Sequence, residues 1–129
     1  MKFALQVNSA PYSGSGSETA YRFAAEALRQ GHEIRRVFFY FDGVYNALGA
    51  SGPPAGEKNL VNRWEILAGE YNLELVLCVS ALTRRGGAPS DSVDDTSGRP
   101  WISDNFRISG LGQWVEAAID ADRTLVFGD

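Results

Sequence analysis

Cysteine and histidine are almost missing from this chain of 129 residues, which contains one of each, Cys78 and His32. A single cysteine excludes an internal disulfide, which fits a reducing compartment such as the cytoplasm. Zinc sites are built from clusters of Cys and His ligands, and no such cluster exists here. We therefore expect a cytoplasmic protein with no metal site.

Long apolar runs and a strong charge of one sign are missing as well. No run approaches the length of a membrane span, and the apolar stretch in MKFALQVNSAPYSG is too short for a signal peptide. The net charge of −4 argues against non-specific binding of nucleic acid. With 44% hydrophobic residues the chain is an ordinary globular protein. The length of the chain predicts one domain over residues 1–129. The short apolar runs and the negative charge predict that it contacts neither membrane nor nucleic acid directly.

Short apolar strands alternate with amphipathic helical stripes along the chain. Strands are predicted at FALQV (3–7), EIRRVFFYF (33–41), LELVLCV (73–79) and RTLVF (123–127). Helical stripes run over 20–28, 60–71 and 111–119, and Ser17 is the predicted N-cap of the first helix. The segments 42–56 and 86–105 are rich in turn residues and are predicted to be loops.

This alternation predicts an α/β fold with a mostly parallel sheet covered by helices on both faces. Ligands of such sheets bind outside the carboxyl ends of the strands. Three loops are expected there, after Val7, Phe41 and Cys78. His32 precedes a strand and is expected at the opposite end, so the thiol has no histidine to act as its base.

Cys78 ends an apolar strand and precedes SALTRRG, a predicted helix or turn. Backbone N–H groups there, together with Arg84 or Arg85, would stabilise a thiolate. Free cysteines are also among the most buried residues and often only pack. A thiol without a base is poorly suited to hydrolysis but well suited to passing sulfur between cysteines, which needs no metal or organic cofactor.

The glycine-rich loop SGSGS (13–17) offers an alternative function. A turn between a strand and a helix N-terminus can hold phosphate, so the chain could be a phosphate- or flavin-binding α/β module. The loop is not a P-loop, because no Gly-Lys-Ser/Thr follows, and Thr19 stands where the third glycine of a dinucleotide-binding motif would be. A flexible strand-to-helix connection with a helix cap is the favoured explanation of this loop, because such partial motifs are weak.

Four segments in order resemble the DsrE/TusD family of sulfur-relay subunits: MKFALQV (1–7), RVFFYFDGVYNA (36–47), CVSALTRRG (78–86) and FRISGLGQWVEAAIDADR (106–123). The resemblance implies a three-layer α/β/α fold with a sheet of about five strands. It implies that Cys78 carries sulfane sulfur as a persulfide, so that the chain is a sulfurtransferase without a cofactor.

The resemblance also implies partners. The chain would join TusC/DsrF-like and TusB/DsrH-like subunits in a heterohexamer of the TusBCD or DsrEFH type. It would take sulfur from a TusA-like donor and pass it to a TusE/DsrC-like acceptor. The pathway is either 2-thiouridine synthesis in tRNA or dissimilatory sulfur oxidation, and the residues do not separate the two.

Ser80, Arg84 and Arg85 are the residues expected to support Cys78. Ser80 stands where the family more usually has a small apolar residue, and its hydroxyl would bind a persulfide or cap the next turn. The segment 87–105 departs from the acidic helical stretch of the family, which leaves the choice of partner open. A non-catalytic subunit, whose partners carry the active thiols, is a further alternative.

Overall fold

The computed structural model describes residues 1–47, 60–86, 102 and 105–128. The elements in chain order are β1 (Lys2–Val7), α1 (Gly16–Arg29), β2 (Glu33–Phe39), a 3₁₀ segment (Phe41–Ala47), α2 (Leu60–Tyr71), β3 (Leu75–Cys78), α3 (Val79–Arg84), β4 (Phe106–Ser109), α4 (Gly112–Asp120) and β5 (Arg123–Phe127).

The five strands form one sheet in the order β4-β3-β2-β1-β5, and every neighbouring pair is parallel. All four residues of β3 are buried, as expected of a strand covered on both faces. The α/β class, the parallel sheet and the number of about five strands are thus confirmed.

One face of the sheet is lined by apolar side chains that match in register. The row that crosses all five strands is Leu125, Leu5, Val37, Leu75 and Phe106. Helices α1 and α2 cover this face. The ring of Phe23 meets Phe3 at 5.1 Å, and that of Trp64 meets Phe39 at 5.4 Å, both edge to face.

Helix α4 covers the opposite face. Its Trp114 ring lies 6.1 Å from Phe38, a residue of β2 that alternates with the row above. The buried Arg36 of the same strand donates from Nη1 to the carbonyl of Gln113 at 2.8 Å. The sheet therefore lies between helices on both sides, which confirms the three-layer arrangement.

Several predicted boundaries differ from the structure. β2 ends at Phe39 and not at 41, and the first part of the predicted loop, Phe41–Ala47, is a 3₁₀ helix. β4 was not predicted, because its four residues are too few to show alternation. Most of the predicted loop 86–105, and the rest of the loop after residue 47, lie outside the described residues.

The predicted N-cap of α1 was wrong. The cap is Ser15, which makes no side-chain capping bond, and Ser17 lies inside the helix. Its side chain is buried, and its hydroxyl pairs with Oδ1 of Asn46 at 2.5 Å. A buried long-range partner therefore replaces the local capping bond that the sequence favours.

No helix in the described ranges combines the length and the hydropathy that a membrane span requires.

Candidate functional site

The carboxyl edge of the sheet is organised by a buried asparagine in the 3₁₀ segment. Asn46 is fully buried and donates from Nδ2 to the carbonyls of Ser9 and Gly43, at 3.0 and 2.9 Å. Its Oδ1 accepts from the hydroxyl of Ser17 in α1. One side chain thus joins the loop after β1, the start of α1 and the 3₁₀ segment.

The 3₁₀ segment lies directly against the end of β1. The N–H of Tyr40 donates to the carbonyl of Val7 at 3.0 Å. At Gly43 the approach is so close that a Cβ would stand 1.9 Å from the same carbonyl oxygen. Only glycine fits there without moving backbone.

An ion pair joins the 3₁₀ segment to α3. Nε and Nη2 of Arg85 each lie 2.9 Å from Oδ1 of Asp42. The remaining nitrogen, Nη1, donates to the carbonyl of Ala81 at 2.9 Å. Arg85 thus satisfies a carbonyl in the last turn of α3 and fixes that helix beside the end of β2.

Cys78 is the last residue of β3, and α3 begins at the next residue. In register it faces Ser109, the last residue of β4. Its Sγ lies 3.3 Å from the hydroxyl oxygen of Ser80. The thiol is therefore at the carboxyl edge of the sheet, where the sequence predicts it, and the predicted neighbour Ser80 is within hydrogen-bonding distance.

The thiol itself is fully buried, whereas Ser80 is exposed. The Sγ atom is therefore out of contact with bulk water in this conformation. A donor or acceptor must therefore approach over the surface formed by the ends of the neighbouring strands.

The two arginines after Cys78 differ in their surroundings. Arg85 is half-buried and held by Asp42, whereas Arg84 is exposed and pairs with no residue in the described part of the chain. Neither guanidinium contacts Sγ. Arg85 is therefore engaged in holding α3 to the 3₁₀ segment.

His32 lies at the opposite end of the sheet, as the sequence predicts. It stands between α1 and β2, with Nδ1 3.2 Å from the amino terminus and its ring 5.8 Å from that of Phe3. The thiol therefore has no histidine beside it. The described residues also hold no group of three or more His, Cys, Asp or Glu able to bind a metal ion.

The glycine-rich loop forms a separate cavity. Residues 13–16 line a space of about 510 Å³ together with Ser9, Thr19 and the end of β5. Two strands, β1 and β2, separate β5 from the strand of Cys78. The lining of this cavity does not include Cys78, and phosphate or flavin binding there stays a prediction.

Asp42 and Asn46 are site-forming residues that sequence reasoning missed. Both belong to DGVYNA (42–47), which has the composition of a turn. One signal was present: a polar Asn stands beside Val44 and Ala47, both of which the fold buries. Buried asparagines normally bind backbone groups, so such a position predicts a structural hub.

Comparisons with known proteins agree with this fold. The family model described as the DsrE/DsrF-like family matches residues 1–127. A protein of Allochromatium vinosum named as a sulfurtransferase DsrE is 53% identical over 133 residues, with both chains fully covered.

Two further relatives carry the name TusD. The sulfurtransferase TusD of an Enterobacter species is 37% identical, with 98% of this chain and all of that protein covered. The sulfurtransferase TusD homologue of Haemophilus influenzae is 34% identical, with 97% and 98% covered. Among solved structures, the YchN protein from E. coli superposes with a TM-score of 0.78 at 24% identity, covering 98% of this chain and 99% of its own. That last likeness concerns the fold.

Proposed function

Since this chain belongs to the DsrE/DsrF-like family, we propose that it is a sulfur-relay sulfurtransferase in which Cys78 carries sulfane sulfur as a persulfide. The observation that carries the proposal is the position of its only thiol. Cys78 lies at the carboxyl edge of a parallel sheet, where such folds place their reactive groups.

The transfer step needs no base, metal or redox partner. The Cys78 thiolate attacks the outer sulfur of a donor persulfide, forming a new S–S bond. The S–S bond of the donor breaks, and the donor leaves as a thiolate. The attack of an acceptor thiolate on the outer sulfur of the Cys78 persulfide repeats the same exchange. One S–S bond forms and one breaks at each step, so no net oxidation occurs.

The surroundings of Cys78 support a carrier role. Its burial keeps bulk water away from Sγ. The hydroxyl of Ser80, 3.3 Å from Sγ, is placed to donate a hydrogen bond to an anionic sulfur. Arg84, which has no partner among the described residues, offers a positive charge for an acidic partner, and Arg85 holds α3 through Asp42.

The partners belong to the same proposal. A relay subunit of this kind joins TusC/DsrF-like and TusB/DsrH-like subunits, with a TusA-like donor and a TusE/DsrC-like acceptor. Identity is 53% to the DsrE protein and 34–37% to the two TusD proteins, which favours the DsrEFH type of complex. Co-purification with a DsrC-like or a TusE-like acceptor separates the two pathways.

The test is intact-protein mass spectrometry after incubation with a persulfidated TusA-like donor. Wild type is expected to gain the mass of one sulfur, about 32 Da, which reductant removes. Cys78→Ser is expected to gain nothing. Ser80→Ala serves as the matched neighbour variant and is expected to load but to lose its sulfur faster.

If wild type gains no sulfur alone, the same incubation is repeated with the presumed partner subunits. Failure there as well would mean that Cys78 only packs in the core. A Cys78→Ser complex that still relays sulfur would favour the non-catalytic subunit instead. Titration with flavin and phosphate tests the remaining alternative at the 13–17 loop.

A further inference from the structure

Exposed apolar side chains stand on both sides of the strand that carries Cys78. β3 lies between β2 and β4. Two residues beyond the end of β2 is Phe41, and two residues beyond the end of β4 is Leu111. Their side chains remain 46% and 43% exposed. Both therefore flank the carboxyl edge at which a donor or acceptor must approach the thiol.

The backbone of Phe41 is held in a conformation that bulky residues rarely adopt. Its φ is +48°, in the left-handed region that favours glycine. The ring does not use this geometry to reach the core, but stacks on Tyr40 at 4.2 Å with its other side toward solvent. Strain kept at an exposed position is characteristic of functional sites.

The neighbours of Phe41 fix that geometry. The N–H of Gly43 donates to the carbonyl of Tyr40 at 2.7 Å, which closes the turn around Phe41. The next residue, Asp42, is bound to Arg85 at the end of α3. Phe41 is thus presented between the neighbour strand of Cys78 and the helix that follows it.

The exposed cation of Arg84 ends α3, next to Arg85, which meets Asp42, the residue after Phe41. It pairs with no residue among those described, whereas Arg85 is neutralised by Asp42. An apolar surface beside a positive charge that no described residue neutralises complements a ligand that is apolar and acidic.

We propose that Phe41, Arg84 and Leu111 form a docking rim that recognises the partner's polypeptide around its reactive cysteine. The recognised segment carries an apolar side chain next to the cysteine and a carboxylate nearby. This inference rests on the proposed function, because it assigns a partner chemistry to the same thiol. The occupant is a protein segment, because two apolar flanks exceed what a small inorganic sulfur donor can contact.

The test uses short peptides whose single cysteine is activated as a mixed disulfide with thionitrobenzoate. Four peptides combine Leu or Ser beside the cysteine with Asp or Lys nearby. The Cys78 thiolate attacks the peptide sulfur, forms a new disulfide and releases thionitrobenzoate, which is followed by absorbance. Each rate constant is divided by that for dithiodipyridine, a small probe that reports the intrinsic reactivity of the thiol.

The Leu–Asp peptide is expected to react about tenfold faster than the other three, which corresponds to about 1.4 kcal/mol. Phe41→Asn removes the ring but tolerates the left-handed backbone, and it should abolish the preference for Leu. Arg84→Glu should reverse the preference between Asp and Lys. Ile119→Ser and Arg123→Glu change exposed residues away from this edge and should leave both preferences intact.

Equal normalised rates for the four peptides would overturn the docking rim, as would a thiol that reacts with none of the probes. A variant that slows dithiodipyridine and all peptides alike would mean that its residue acts on the fold and not on recognition. A protein that selects among the peptides but does not load sulfur would support the docking rim and refute the carrier function. Sulfur loading without peptide selectivity would do the reverse.

Discussion

Gly43→Ala is the substitution whose effect the structure specifies most closely. The added methyl group would lie 1.9 Å from the carbonyl oxygen of Val7 and 2.9 Å from its carbonyl carbon. Both atoms are backbone, so no side chain can rotate away. Val7 pairs with Phe39 in the sheet, and its carbonyl accepts from Tyr40. Either β1 or the 3₁₀ segment must therefore move.

Overpacking at such a position costs about 3 kcal/mol, the upper end of the usual range. With a urea dependence of about 2 kcal/mol per molar, the midpoint of unfolding should fall by about 1.5 M. The loss is large because a domain of this size is stabilised by only about 5–15 kcal/mol in total. Sulfur loading should fall too, since the 3₁₀ segment holds α3 through Asp42.

Gly69→Ala is the matched control. Gly69 lies inside α2, and nothing stands within 4 Å of a Cβ added there. Alanine has the higher helix propensity, so the free energy of unfolding should rise by about 1 kcal/mol. Equilibrium urea unfolding of both variants and wild type measures these changes in stability. A Gly43→Ala protein as stable as wild type would refute the close approach described here.

Two further perturbations probe the polar contacts. Asn46→Ala should lower the free energy of unfolding by about 2–3 kcal/mol, because it removes the donor to two carbonyls and the acceptor of the Ser17 hydroxyl; an unchanged urea midpoint would count against the hub. Arg36→Ala should cost about 2–4 kcal/mol, since a buried side chain loses Glu74 at 2.6 Å and the Gln113 carbonyl. Arg29→Ala, its control in an exposed pair, should leave thermal and urea midpoints at the wild-type values.

Local pattern was sufficient for the elements that carry most of the sheet. LVLC is buried throughout and its apolar run predicts a covered strand, which also places Cys78 at the carboxyl edge. FALQV was predicted for the same reason, and RTLVF was predicted from its composition although none of its residues is buried. LVLC and FALQV succeed because the strand propensity of their residues agrees with the burial that the fold gives them.

The prediction failed where a long-range contact decides the structure. β4 spans only four residues and includes the exposed Arg107, so it shows no clear period, yet pairing with β3 makes it a strand. The 3₁₀ segment has turn composition, and its shape follows from its contacts with β1 and α3. Ser17 has the chemistry of a cap but finds a buried partner 29 residues away.

The candidate site was half predictable. Cys78 and Ser80 are neighbours in the chain, and their contact follows from a strand that leads directly into a helix. The difference between Arg84 and Arg85 was not predictable, because it depends on Asp42, 43 residues from its partner. The left-handed backbone at Phe41 could not be predicted either, because phenylalanine rarely adopts this conformation.

The position of β5 in the sheet affects how the protein folds during its synthesis on the ribosome. Strand β5 pairs with β1, and the N–H of Asp122 donates to the carbonyl of Lys2. Contacts of such long sequence separation form slowly. Until β5 has been synthesised, the edge of β1 that pairs with it remains exposed. Its apolar residues and unpaired backbone groups can then contact other chains. The nascent protein is therefore prone to aggregation until β5 has left the exit tunnel and paired with β1, and a chaperone that covers β1 would protect it during that interval.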